Sequence, residues 1–269
     1  MDSNPLILGH RGASAVAPEN TLAAFSRAMR DGADGIEFDV RLSRDHVPVV
    51  IHDANLRRTG LVDKLVRELT AEELQRIDVG RWLANRSRYT SPTAPSAESL
   101  GNADEKLPAF TEVLELFGGN QGVLYVEMKC EPREGAALAA EVVRLTDEWG
   151  MKNRVVVESF DLAAITEVKR IDANIRTAAL FEPKLSHPIS TFRRLRMIER
   201  AKQCGADEIA LHHTLANPGL IEKAKAQGFE VVVWTVDDAK WIRHARSLGI
   251  KALIANNPAA MVRDRNELS

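Results

Sequence analysis

Short apolar runs alternate with longer stretches in which apolar residues recur every three or four positions, from one end of the chain to the other. The short runs fall at 6–9, 35–40, 123–129, 154–159, 175–181, 208–211, 229–236 and 252–255 and read as strands. Between them, 19–30, 109–117, 133–149, 162–170, 191–203, 219–227 and 238–247 carry the spacing of amphipathic helices. Eight strands separated by helices is the pattern of parallel βαβ units. A (β/α)₈ barrel (TIM barrel) typically takes about 250 residues, which fits this chain of 269 residues. An open doubly wound sheet competes, but the glycine-rich fingerprint expected after its first strand is missing. The expected fold is therefore α/β, a TIM barrel spanning 1–269 as a single domain.

The rhythm breaks after Val40. A second extended run at 47–52 predicts that 41–53 folds back as a hairpin. The segment 54–106 then reads as a small insertion containing one helix-like piece, with Thr70 as N-cap and Glu73 at capping-box spacing. Its Ser/Thr/Pro/Asn-rich part, 85–102, has the length and composition of a lid over the barrel mouth or of a solvated linker.

Composition narrows the classes. At 45% hydrophobic residues the chain can bury a full core, and a formal net charge of −2 gives no reason to expect nucleic acid or an anionic membrane surface as partner. Two cysteines, Cys130 and Cys204, are too few for a disulfide framework. No run approaches the ~18 apolar residues of a membrane span, and the N-terminus lacks the parts of a signal peptide. A cytoplasmic protein without stable membrane insertion is expected.

The chemistry is concentrated near the N-terminus. Side chains two apart on a strand share a face, so Glu37 and Asp39 project together while Ile36, Phe38 and Val40 take the opposite, greasy face. Paired carboxylates repel each other unless a cation sits between them, and oxygen ligands suit Mg²⁺ or Ca²⁺. Functional residues of such barrels sit at the C-terminal ends of strands. His10 and Arg11 end the first strand, and Glu127 and Lys129 share a face at the end of the third barrel strand, with His52 closing the hairpin. Arg11 suits a planar two-oxygen contact and Lys129 a point charge on an anion. Two imidazoles that titrate near neutrality suit proton transfer, His10 as base and His52 as acid.

The ordered set His10-Arg11-Gly12, Pro18-Glu19-Asn20-Thr21, Glu37-Phe38-Asp39-Val40, His52-Asp53, Glu127-Met128-Lys129, Ser159-Phe160 and Trp234-Thr235-Val236 resembles the glycerophosphodiester phosphodiesterase family over nearly the whole chain. The resemblance implies a (β/α)₈ barrel with a small insertion after the hairpin, and hydrolysis of a small-molecule glycerophosphodiester to an alcohol and glycerol 3-phosphate. It also implies one divalent metal ion held by Glu37, Asp39 and Glu127, with His10 and His52 as the catalytic histidines. Glu19, at the expected start of a helix, reads as an orienting or capping residue, and Trp234 as a wall for the glycerol or as core.

Of the remaining histidines, one of His212 and His213 is placed to face the mouth, and His46, His187 and His244 read as turn or surface residues. Two positions depart from the family pattern. The turn Arg44-Asp45-His46-Val47-Pro48 has no glycine, so His46 is expected in a left-handed conformation, and Ala255 stands where relatives usually show threonine. A phospholipase D-like activity on lysophospholipids or sphingomyelin is the neighbouring reading, and it would call for an exposed apolar loop, whereas 85–102 is polar. A non-catalytic phosphate-ester binding protein would have no use for both histidines.

Overall fold

The computed structural model describes residues 4–83, 104–119, 121–131, 133–183 and 191–268. In chain order the elements are β1 (Leu6–His10), α1 (Leu22–Arg30), β2 (Gly35–Leu42), β3 (Pro48–Val50), the short α2 (Ala71–Leu74), α3 (Phe110–Gly118), β4 (Val123–Met128), α4 (Gly135–Glu148) and β5 (Val155–Ser159). They continue with α5 (Leu162–Ile171), β6 (Arg176–Phe181), α6 (Thr191–Gln203), β7 (Glu208–His212), α7 (Pro218–Ala226), β8 (Glu230–Trp234), α8 (Lys240–Leu248), β9 (Ala252–Ala255) and α9 (Pro258–Glu267). Eight parallel strands close on themselves in the order β1-β2-β4-β5-β6-β7-β8-β9, and β9 pairs back onto β1. This is a TIM barrel. β3 lies outside the ring, antiparallel to the end of β2, with Val40 opposite Val50.

Strand alternation sorts residues between two layers. On the outward face of β2, Phe38 stacks at 5.4 Å from Phe25 of α1 and 5.9 Å from Phe110 of α3, with Ile36, Val40, Leu124 and Val126 in the same buried cluster. The inward positions Leu8, Tyr125, Val156, Ala178, Ala210, Val232, Ala252 and Ile254 fill the barrel. A polar knot closes its N-terminal end. Fully buried Glu208 accepts from the Tyr125 hydroxyl (2.7 Å), Arg176 (Nη2, 3.0 Å) and Lys251 (Nζ, 2.7 Å), so its burial is compensated.

The β1–α1 turn presses directly on α1, which fixes where His10 and Arg11 stand. Gly12 has φ +80°, and a Cβ there would lie 2.5 Å from the Ala24 carbonyl carbon. Arg11 itself adopts φ 52°. Chain turn and helix touch with no room for a side chain between them.

Several boundaries differ from the sequence reading. The first helix starts at Leu22, not at residue 19, because the Thr21 hydroxyl caps it by accepting from Ala24 N–H at 3.1 Å. Glu19 therefore lies before the helix and is no capping residue. The run 47–52 forms ladder pairs only over Pro48–Val50, and α9 was not foreseen. Thr70 and Glu73 form the expected capping box, and His46 takes φ 61°. The stretch proposed as a lid, 85–102, and His187 lie outside the described residues. Among the described residues no helix is long and apolar enough to cross a membrane.

Candidate active site

The C-terminal mouth gathers its acids from adjacent strands. Asp39 of β2 and Glu127 of β4 are ladder partners, and Glu37 sits two residues earlier on the same inward face. One oxygen from each of Glu37, Asp39 and Glu127 lies within 4.8 Å of the others. All three residues are buried. Burial, then the charges of Asp39 and Glu127, push Glu37 well above the ordinary carboxylate range. Burial likewise pushes Glu127 up to about 7, although Lys129 opposes it. Asp39 goes the other way: despite burial, Lys129 and Arg11 hold it below the usual range.

Neighbouring polar groups set these acids in place. Asn20 donates to Asp39 Oδ2 at 2.8 Å and accepts from the Asp39 N–H at 3.3 Å. Lys129 Nζ lies 2.6 Å from Glu127 Oε1 and 3.2 Å from Asp39 Oδ1. Lys129 thus pairs with both acids, and no other donor reaches Asp39 Oδ1 or Glu127 Oε1. Converging carboxylate oxygens are the donor set that a hard divalent cation prefers. The residues fit a metal site.

Each histidine is held through Nδ1. That of His10 lies 2.7 Å from Asn256 Oδ1, while its Nε2 lies 3.8 Å from Glu37. Asn256 donates its own amide to Asp237 at 2.8 Å, which makes its oxygen the acceptor for His10. His52 Nδ1 lies 2.7 Å from Asp53 Oδ1. An acceptor at Nδ1 fixes the proton there and leaves Nε2 with its lone pair. Burial and then Arg11 lower His10 to about 4, and burial lowers His52, opposed by Asp39.

A chain of ion pairs runs around the rim between the two rings. Arg11 Nη1 meets Glu19 at 2.8 Å, and Arg58 grips both Glu19 oxygens at 2.8 Å and Asp53 Oδ2 at 2.7 Å. Arg11 also stands 3.1 Å from Asp39 through Nε. Glu19 thus pairs with both Arg11 and Arg58.

His10, Arg11, Glu37, His52, Glu127 and Lys129 border an open cleft of about 440 Å³, lined also by Glu158, Phe160, Glu182 and Trp234. Lys129 lies over the Phe160 ring at 5.6 Å, and Phe160 meets Trp234 edge-on at the same distance. Trp234 therefore belongs to the cleft wall. His212 stands edge-on to Trp234 at 5.1 Å, whereas His213 turns toward Trp241. His244 bonds its own helix at Lys240 O. Neither cysteine is in a disulfide.

Four contributors escaped the sequence reading. Glu158 was hidden at the end of the valine run 155–157, although a charged residue two positions past an inward-facing valine was a usable signal. Asn256 and Arg58 reach His10 and Glu19 from 246 and 39 positions away in sequence, and no local pattern marks them or Glu182 of the cleft lining.

A buried acidic triad that could hold a metal ion and two imidazoles stand together at the C-terminal mouth of a TIM barrel, the end at which enzymes of this fold carry their active sites. The sequence model of the glycerophosphoryl diester phosphodiesterase family matches residues 10–260, and the chain belongs to that family as one of its enzymes. It is 29% identical over 259 residues to a glycerophosphodiester phosphodiesterase of Caldanaerobacter subterraneus subsp. tengcongensis, covering 96% of each chain. It is 27% identical to one from Bacillus altitudinis, covering 97% of this chain and 98% of that one. Among solved structures, a glycerophosphodiester phosphodiesterase from Agrobacterium tumefaciens superposes with TM-score 0.75 at 25% identity, over 96% of this chain and 99% of that one. An Oleispira antarctica phosphodiesterase in complex with the product sn-glycerol-3-phosphate superposes with TM-score 0.80 at 24% identity, over 98% of this chain and 97% of that one.

Proposed function

We propose that this protein hydrolyses glycerophosphodiesters to an alcohol and glycerol 3-phosphate, with His10 and His52 as proton carriers beside a divalent cation, Mg²⁺ or Ca²⁺. The observation that carries the reading is convergence. Two imidazoles, each held through Nδ1, share a cleft with three buried carboxylates, one oxygen from each of which lies within 4.8 Å of the others. Glu37, Asp39 and Glu127 would hold the cation, which when bound supplies Lewis-acid stabilisation of charge on the phosphoryl oxygens.

The chain's own residues do the rest. His10, kept neutral by burial and Arg11, takes the proton from the attacking oxygen at Nε2. His52 is held at Nδ1 by Asp53, which favours the imidazolium against the burial that lowers the ring; once Nε2 has taken up a proton, that proton passes to the departing alcohol oxygen. Arg11 and Lys129 face the same cleft and offset the negative charge that builds on the phosphate. Phe160 and Trp234 form the apolar wall along the substrate.

The acid and base roles separate by leaving group. His52→Ala is expected to lose turnover of glycerophosphocholine by roughly 10²–10⁴-fold yet retain most of its turnover of the p-nitrophenyl ester of glycerol 3-phosphate, whose leaving group needs no proton. His10→Ala is expected to lose both. Equal losses on the two esters for His52→Ala would remove its assignment as acid.

A further inference from the structure

Glu158 closes β5 one strand beyond Glu127, its ladder partner, and borders the cleft. It is 1% exposed, and its Oε2 accepts no hydrogen bond. It also stands outside the group of acids close enough to share a metal ion, which among the described residues is Glu37, Asp39 and Glu127. The same barrel shows what a structural buried glutamate looks like. Glu208, at the opposite end, is bonded by a tyrosine, an arginine and a lysine. Glu158 has no such partners. A buried carboxyl group left this way is costly unless a ligand satisfies it. Trp234 lines the same cleft, and its Nε1–H is likewise buried without an acceptor. The cleft therefore offers an unfilled acceptor and an unfilled donor, which are the two halves of a hydroxyl's hydrogen bonding.

We infer that Glu158 is a specificity residue that accepts a hydrogen bond from a hydroxyl of the substrate's glycerol, assisted by Trp234 Nε1–H, so that the cleft selects polyol phosphates over phosphates with a plain alkyl chain. The inference rests on the glycerophosphodiester reading of the cleft and deepens it. A site built to bond a hydroxyl rejects the analogue that lacks it, because its buried polar group then stays unpaired.

Binding separates this from any role of the hydroxyl in the reaction itself. Calorimetry on the Mg²⁺- or Ca²⁺-loaded protein would compare glycerol 3-phosphate with propyl phosphate, which has the same phosphate and carbon chain but no hydroxyls. The wild type is expected to prefer glycerol 3-phosphate by about 10–100-fold. Glu158→Ala, which leaves no unpaired carboxyl behind, should bind propyl phosphate more tightly than the wild type does and keep a preference of less than about threefold. Glu158→Gln, which retains volume and an acceptor oxygen, should keep part of the preference. An unchanged preference in Glu158→Ala would overturn the inference. So would metal affinity falling in step in both variants, since Glu158 would then be a ligand of the cation. Hydrolysis of glycerophosphocholine by the wild type, measured alongside, tests the underlying reading separately.

Discussion

Asp39 is the residue on which most of the site's forces meet. It faces Lys129 and Arg11, pairs in register with Glu127, and is clamped twice by Asn20. Asn20 touches neither histidine in any hydrogen bond of the structure, so its effect passes through Asp39. Asn20→Ala is expected to weaken divalent-metal affinity by roughly 10–100-fold, read by calorimetry, with the fold retained by circular dichroism. Unchanged affinity would mean that Asp39 is not a ligand. Much of this was visible from residue types alone. Glu37 and Asp39 alternate with apolar residues on one strand, which exposes a polar inner face without any knowledge of the fold. Glu158 was not visible in that way, because three valines before it read as uninterrupted core. Asn256 and Arg58 act through contacts 246 and 39 positions away in sequence, and only the closed barrel brings them there.

Between elements, the β1–α1 turn and the start of the insertion hold the two histidines. Gly12→Ala would drive a Cβ into the α1 backbone at Ala24. The expected cost is roughly 1–3 kcal/mol, seen as a lower Tm together with lost activity. A variant as stable as the wild type would show that the turn is not as tight as drawn. Arg58 ties the insertion to the rim through Glu19 and Asp53. Burial opposes both of those acids, but Arg58 holds each below its ordinary range, helped at Glu19 by Arg11 and at Asp53 by His52. Depressed carboxylates add stability above their unfolded values of about 4, and that stability is lost as pH falls through the folded values. Arg58→Gln should therefore lie below the wild type in Tm by about 2–4 °C near pH 7, for a network worth roughly 1 kcal/mol. The gap should close toward pH 3. A gap independent of pH would argue that Arg58 acts by packing on Trp82, over whose ring it lies at 5.3 Å. Sequence periodicity marked the strands and most helices here, because each buries a regular face. It missed α9, of which only Pro258 and Met261 are buried. The signal present was Asn257 as N-cap followed by Pro258 in the first turn.

For the molecule as a whole, the barrel places its charged clusters at opposite ends and treats them differently. The N-terminal knot around Glu208 is satisfied internally, whereas the C-terminal mouth holds buried acids in mutual repulsion, Glu37 and Glu127 among them. The mouth is therefore organised for a ligand, and the molecule should be stabilised when a cation relieves that repulsion. Saturating Mg²⁺ or Ca²⁺ is expected to raise Tm in proportion to the logarithm of metal concentration above its Kd, and a flat Tm would speak against a resident metal. The most direct test of the account is release of glycerol 3-phosphate from glycerophosphocholine by protein stripped with a chelator and then given back Mg²⁺ or Ca²⁺. The account predicts that stripping abolishes release and that one of the two ions restores it in the wild type but not in Asp39→Ala. Release that continues unchanged after stripping, or that Asp39→Ala recovers in full, would contradict it.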